Sequence, residues 1–234
     1  MSSPIDLKNP DRVIHVGVIL LESITEILDV APLDLFSGLS KRFVMDIPEA
    51  FLPQCHKDEA LDIEFHWVSA SGGAMELTAG VKLQTTNTFE DCPPLDVALM
   101  GAHEVGIYQL TEAELAFIRK TYEHCAAFLC ICAGMMPALQ AGLLQGKTVT
   151  APREMLPELR KQAPDVDWVS KRWANDGKVW TSGALLNGLD MMVAFAQHTW
   201  GNKAADGKPL ELIAHMIKMG GWPVRDVDYK DECF

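Results

Sequence analysis

The stretch Ala126 to Leu144, AAFLCICAGMMPALQAGLL, decides the reading of the fold. It opens as a continuous apolar run, the pattern of a strand buried on both faces. It then changes to apolar residues every three or four positions, ending at Gly146. A buried strand therefore runs directly into a helix, with Cys132 at the changeover. The small pair Ala133 and Gly134 follows, as a chain needs where it reverses tightly without side-chain clash. This is the layout of a nucleophile elbow: the side chain stands above the sheet edge, and the following N–H groups and helix N-terminus favour negative charge. A thiol so placed is expected to ionise more readily than a free one. The alternative is that Cys132, like most cysteines, is a small buried hydrophobe.

Upstream, Thr111 followed by Glu114 forms a capping box that opens a helix carrying to about His124. Before it, Asp96 to Met100 (DVALM) reads as a buried strand ending in Gly101-Ala102-His103, and a glycine directly after such a strand lets backbone N–H groups approach a bound anion. Ile63 to Ala70 is a further strand, in which His66 reads as a packed or paired residue rather than a ligand. Ser71 to Gly73 supplies a turn, and Leu77 to Thr85 a short hairpin around Gly80. Val13 to Leu21, VIHVGVILL, is β-branched and almost wholly apolar, a central parallel strand. From Ile27 to Leu39 apolar residues recur at helical spacing, and Pro32, tolerated in a first turn, starts the helix near Asp29. That sets a carboxylate just beyond a strand's C-terminal end, where open α/β sheets place their ligand sites.

Residues 1–12 read as a polar N-terminal arm, and 13–234 as one domain. Lys41 to Leu61 has no clean period and reads as an insertion or flap beside the site. Downstream of the elbow come a short strand at Lys147 to Ala151, a short helix within Pro152 to Gln162, and a strand at Val166 to Trp173. A hairpin turn at Asp176-Gly177 leads into Val179 to Ser182, and amphipathic helices follow at Leu185 to Trp200 and Leu210 to Met219. The methionine pairs Met135/Met136 and Met191/Met192 read as core filler. Strands alternating with helices predict a single α/β domain, a doubly wound, mostly parallel sheet with helices on both faces, carrying one decorating hairpin.

Composition narrows the partners. With 20 Lys and Arg against 32 Asp and Glu, the net charge of −12 argues against nucleic acid and anionic membrane surfaces. No apolar run reaches the roughly 18 residues of a spanning helix, and the N-terminus lacks the apolar core of a secretory signal, so a cytoplasmic location is expected. The six cysteines, Cys55, Cys92, Cys125, Cys130, Cys132 and Cys233, lack paired CxxC spacing and a nearby histidine pattern. Free thiols are expected, with no metal site and no cofactor.

Several local sequences, DCPPLDV at Asp91 to Val97, LAFIR at Leu115 to Arg119, CICAG around Cys132 and AGLLQG at Ala141 to Gly146, resemble the ThiJ/PfpI family of the class I glutamine amidotransferase-like superfamily, most nearly its isonitrile hydratase branch. The resemblance spans roughly Val13 to Gly201 and implies a flavodoxin-like fold. It also implies Cys132 as nucleophile, Asp29 as its acidic partner, and the backbone N–H groups of Ala133, Gly101 and Ala102 as oxyanion donors. A homodimer is likewise implied. The chain departs from the family pattern in three places. Ala133 stands where protease-like and glyoxalase-like relatives have His and hydratases have Thr. Pro152 and Arg153 stand where a hydratase His usually lies, and Met100-Gly101-Ala102 replaces Pro-Gly-Gly. His103 is the remaining imidazole near the expected pocket.

The activity expected from the resemblance is a cofactor-independent cysteine enzyme of lyase or hydrolase type, acting on a small electrophilic carbon, with isonitrile hydration to an N-substituted formamide as the concrete case. Two other readings stand beside it: a redox or electrophile sensor using the same cysteine, and a small-molecule binding protein without chemistry.

Overall fold

A computed structural model describes residues 4–104, 106–201 and 210–230. Its strands are β1 (Ile14–Ile19), β2 (Ile63–Ser69), β3 (Ala74–Leu77), β4 (Val81–Gln84), β5 (Asn87–Thr88), β6 (Val97–Met100), β7 (Ala127–Cys130), β8 (Thr148–Val149), β9 (Asp167–Trp168), β10 (Trp173–Asp176) and β11 (Val179–Ser182). The helices are α1 (Ile27–Val30), α2 (Asp34–Leu39), α3 (Lys41–Val44), α4 (Gln54–Lys57), α5 (Glu112–His124), α6 (Met135–Gln140), α7 (Leu156–Gln162), α8 (Asn187–Thr199) and α9 (Glu211–Gly220).

Seven strands form one sheet in the order β10-β11-β7-β6-β1-β2-β5. Only the β10–β11 pair is antiparallel. The sheet is α/β and mostly parallel with helices on both faces, as the alternating pattern predicts. On one face Val16, Val18, Val97 and Leu99 pack with Phe36, Phe195 and Trp200. On the other Ala98, Met100, Phe128 and Cys130 pack with Phe117 and Ile118 of α5, Met135 of α6 and Leu156 of α7. Strands covered on both sides have no polar face to alternate, which is why β6 and β7 appear in the sequence as unbroken apolar runs and β1 as one interrupted only by His15.

The capping box at α5 forms as read, with Glu114 N–H donating to Thr111 Oγ1 and Thr111 N–H donating to Glu114. The decorating hairpin is β3 with β4, antiparallel from Ala74 to Gln84. The strand expected over Val166 to Trp173 is instead two: Asp167–Trp168 pairs with β8, and Trp173 begins β10. Between them Arg172 turns inward, and its Nη1 donates to the carbonyls of Asp226 and Asp228. The N-terminal arm is held down through Ile5 and Leu7, both buried, and through Trp200 Nε1 donating to the Leu7 carbonyl.

The segment 41–61 does not sit beside the site. It leaves α2 at a bridge between Ser40 and Leu61 and feeds β2 at Ile63, opposite the first residue of β1. That is the N-terminal edge of the parallel sheet, whereas Cys132 follows the C-terminal end of β7. Val44 and Leu52 are fully buried in the core. With Ala60 and Leu61 also buried, the segment has core anchors at irregular intervals, which a search for periodicity does not register.

Candidate active site

Three stretches meet at the C-terminal edge of the sheet: the β1–α1 connection, the loop after β6, and the elbow after β7. Cys132 has φ of 56°, in the left-handed region that side chains other than glycine rarely occupy. Strain at a single non-glycine residue, retained where neighbours hold it, is a frequent mark of a functional turn. Gly134 makes the turn possible by close approach, since a Cβ there would lie 2.2 Å from the Met100 carbonyl oxygen. The thiol itself is half-buried and forms no disulfide among the described residues.

Asp29 is fully buried on α1. Its Oδ2 accepts the Ala102 N–H at 2.7 Å, and its Oδ1 has no hydrogen-bond partner among the described residues. Gly101 permits this approach: a Cβ at that position would meet Asp29 Cβ at 2.9 Å. The role of Gly101 here is therefore to let α1 pack close, and the Ala102 N–H is already taken by the carboxylate. Of the three backbone donors expected from the resemblance, Ala133 is the one that faces the sulfur, joined by the N–H of Leu185.

Glu26 completes the group. A carboxylate oxygen of Glu26, one of Asp29 and the Cys132 Sγ all lie within 4.8 Å of one another. Glu26 precedes Asp29 by three residues, the spacing that sets two side chains on one side of a helical turn. That interval was the available signal for it in the sequence. No such signal exists for Leu185, which reaches the thiol from a loop 53 residues further along the chain.

Electrostatics here run against the expectation of an easily ionised thiol. Burial pushes the Asp29 carboxyl up to about 7, against the pull of the Ala102 N–H and with the help of nearby Glu26. Cys132 is pushed up to about 12, first by burial and then by the Asp29 charge, which outweigh the N–H groups of Ala133 and Leu185. The helical support is also short, a single three-residue turn leading into the six residues of α6. At neutral pH the stable form is thus a thiol beside a carboxyl that readily exchanges its proton. Moving that proton from sulfur to Asp29 removes the repulsion opposing the thiolate.

His103 is buried, with its Nδ1 lacking a hydrogen-bond partner among the described residues, and burial lowers its pKa despite Glu114 and Glu104. Its ring stands edge-on to Tyr108 at 6.3 Å, and it is not one of the groups that converge on Cys132 within 4.8 Å. Beside α1 lies a cleft of about 600 Å³ whose walls include Leu28, Val30, Trp67, Leu186 and Trp222. Leu28 and Val30 flank Asp29 in the chain, so the cleft and the thiol lie on either side of the same helical turn.

The strained cysteine after a parallel strand, set against an acid from the first helix, defines a class, and the chain belongs to it: this is a member of the DJ-1/PfpI family, whose pattern matches residues 48–198. That span contains Cys132 and begins after Asp29. Among characterised relatives, the chain is 33% identical over 155 residues to isonitrile hydratase of Pseudomonas putida, covering 64% of this chain and 66% of that enzyme. The fold is shared with a ThiJ/PfpI family protein from Pseudomonas syringae, at TM-score 0.67 and 14% identity over 94% of this chain and 80% of that one. It is shared too with Drosophila melanogaster DJ-1beta, at TM-score 0.66 and 16% identity over 91% and 100% of the two chains. Among the described residues no helix is long and apolar enough to cross a membrane.

Proposed function

We propose that the chain is a cysteine-dependent enzyme acting on a small electrophilic carbon, with hydration of an isonitrile to an N-substituted formamide as its concrete reaction. The observation that carries this reading is the convergence of the Cys132 sulfur with the Asp29 and Glu26 carboxylates within 4.8 Å, with the Asp29 carboxyl held near pH 7. An acid with that pKa can take up and give back a proton at neutral pH. In the forward direction Asp29 accepts the thiol proton and passes it to the terminal carbon of R–NC as the sulfur bonds to that carbon, giving a thioimidate, R–N=CH–S. Water then adds to this carbon, and collapse of the adduct expels the thiol and releases R–NH–CHO. The net reaction consumes one isonitrile and one water. Glu26 is suited to hold the entering water.

Turnover of a panel of isonitriles and 2-oxoaldehydes by wild type, Cys132→Ser and Asp29→Asn tests this. Formamide production that disappears in both variants is expected. Turnover of 2-oxoaldehydes alone, or of isonitriles by Cys132→Ser at the wild-type rate, would overturn it.

One feature favours a second reading. Asp29 Oδ1 is buried with no hydrogen-bond partner among the described residues, and one oxygen of the same carboxyl lies within 4.8 Å of the sulfur, so a protonated Asp29 is placed to donate to a sulfinate formed from Cys132 by peroxide, as a sensor would require. A chain that turns over no substrate but retains a stable Cys132 sulfinate would favour it. For the assembly, the proposal is a homodimer covering the exposed apolar side chains Leu28 and Leu186 that border the cleft. Light scattering should then return twice the chain mass of 25.8 kDa.

A further inference from the structure

At the other end of the sheet, β1 and β2 bring together two imidazoles and a carboxylate that the reaction above does not use. The parallel register sets His15 opposite Glu64 and Gly17 opposite His66. With a side-chain period of two, His15, Glu64 and His66 therefore share one face. His15 Nδ1 lies 3.0 Å from His66 Nε2. The Glu64 carboxylate oxygens are 3.7 Å from His15 Nδ1 and 4.0 Å from His66 Nε2. A tetrahedral ion with bonds of about 2.0–2.2 Å holds its ligand atoms about 3.4 Å apart. The three separations straddle that value, and the carboxylate, on a side chain that is 61% exposed, has room to close the difference.

The support around His66 is that of a fixed ligand. Its side chain is only 5% exposed, and its Nδ1 faces the Asn87 amide oxygen at 3.0 Å. An amide oxygen only accepts, so the ring proton sits on Nδ1 and the lone pair of Nε2 points at His15 and Glu64. Metal-bound histidines are oriented in this way, through a hydrogen bond from the nitrogen that does not bind. Without an ion, the His15 Nδ1–H donates to that lone pair. Binding transfers this proton to His15 Nε2 and frees Nδ1. A cleft of about 540 Å³, walled by Glu64, His66, Asn87 and Arg42 among others, leaves space for water at the remaining position.

We propose that His15, Glu64 and His66 form a binding site for a divalent first-row transition ion, of which Zn²⁺ is the type. Two imidazole nitrogens with one carboxylate oxygen suit Zn²⁺, Co²⁺, Ni²⁺ or Cu²⁺ and are a poor match for Mg²⁺ or Ca²⁺, which take all-oxygen sets. The sequence offers no spacing signal for it, because His15 and His66 are 51 residues apart and join only through strand register.

Titration of the metal-free full-length chain with Co²⁺, followed by visible absorption and then displaced by Zn²⁺, tests the site. One ion per chain is expected, with visible bands and no thiolate-to-cobalt charge transfer. Glu64→Gln, an exposed change that leaves the core intact, should weaken binding by at least about 10-fold, and His15→Gln by more. Cys132→Ser should bind as wild type does, since the Cys132–Asp29–Glu26 group is the other candidate cluster. Absence of binding at tens of micromolar, equal affinity in wild type and Glu64→Gln, or a thiolate spectrum lost in Cys132→Ser would each overturn the proposal. Thermal unfolding of each metal-free variant confirms that the comparison is among folded proteins.

Discussion

The two ends of the parallel sheet hold buried carboxylates in opposite conditions. At the N-terminal end Asp96 accepts from both terminal nitrogens of Arg12 at 2.7 Å and from the His15 N–H at 2.9 Å. At the C-terminal end Asp29 accepts one N–H, and its second oxygen is buried without a partner among the described residues. The contrast separates structure from chemistry. Asp96 ties the arm, β1 and β6 together with both of its oxygens hydrogen-bonded and paired to a guanidinium, so its charge is compensated in place. Asp29 is expensive to keep charged and lies against a thiol, so its proton is available for exchange. A buried acid is informative when its partners are too few.

The largest expected effect breaks the comparison at the C-terminal end. Cys132→Ala should lower kcat/KM by about 10⁴-fold or more, as for loss of a nucleophile that works as a unit with its acid. Arg12→Ala should leave kcat/KM within about twofold of wild type, because Arg12 has no role at the site. Steady-state kinetics on the same substrate decide both. A comparable loss in each would remove the distinction.

The pH dependence of stability comes next. Asp29 has its pKa raised from 3.8 to about 7, so the folded state binds the proton more tightly than the unfolded state. Its contribution is fully present below pH 3.8 and is lost as pH rises through about 7. The loss is roughly 2–4 kcal/mol of unfolding free energy. Asp29→Asn should abolish that slope and be the more stable protein at pH 8. Urea unfolding at pH 5 and pH 8 measures it, and parallel pH profiles for the two proteins would refute the raised pKa.

Gly101→Ala tests the close approach of α1. A Cβ 2.9 Å from Asp29 Cβ and 3.2 Å from Val30 Cγ1 forces the helix outward, at a cost of about 1–3 kcal/mol. Turnover should fall by more than stability alone explains, since the thiol and the acid separate. Denaturant melts combined with kcat on the folded fraction separate the two effects.

The finest test concerns the thiol itself. Because burial and the Asp29 charge push Cys132 up, both Asp29→Asn and Asp29→Ala should lower its pKa. Asn should lower it further, since its amide also donates to the thiolate. The pH dependence of iodoacetamide alkylation at Cys132, with the other cysteines followed by peptide mass spectrometry, reads this difference. Identical profiles for all three proteins would mean that Asp29 does not touch the sulfur.

Much of this was legible in the sequence because it is local. The apolar run into CAG specifies a buried strand and a tight strand-to-helix turn, and the capping box at Thr111 and Glu114 is written in four consecutive residues. Asp29 was placed by its position after the first strand, and Glu26 was visible in principle through its interval of three. By itself, then, the sequence determined the α/β order of elements, the residue at the turn and the carboxylate beyond β1, since each depends on periodicity or neighbours within a few positions. The tertiary structure alone decided that 41–61 lies at the far edge of the sheet, that Ala102 is occupied by Asp29, and that Leu185 reaches the thiol. It also decided the direction of the Cys132 pKa and the meeting of His15 with His66. Those depend on burial and on which strands lie side by side, quantities set by the packing of segments tens of residues apart that no local pattern encodes.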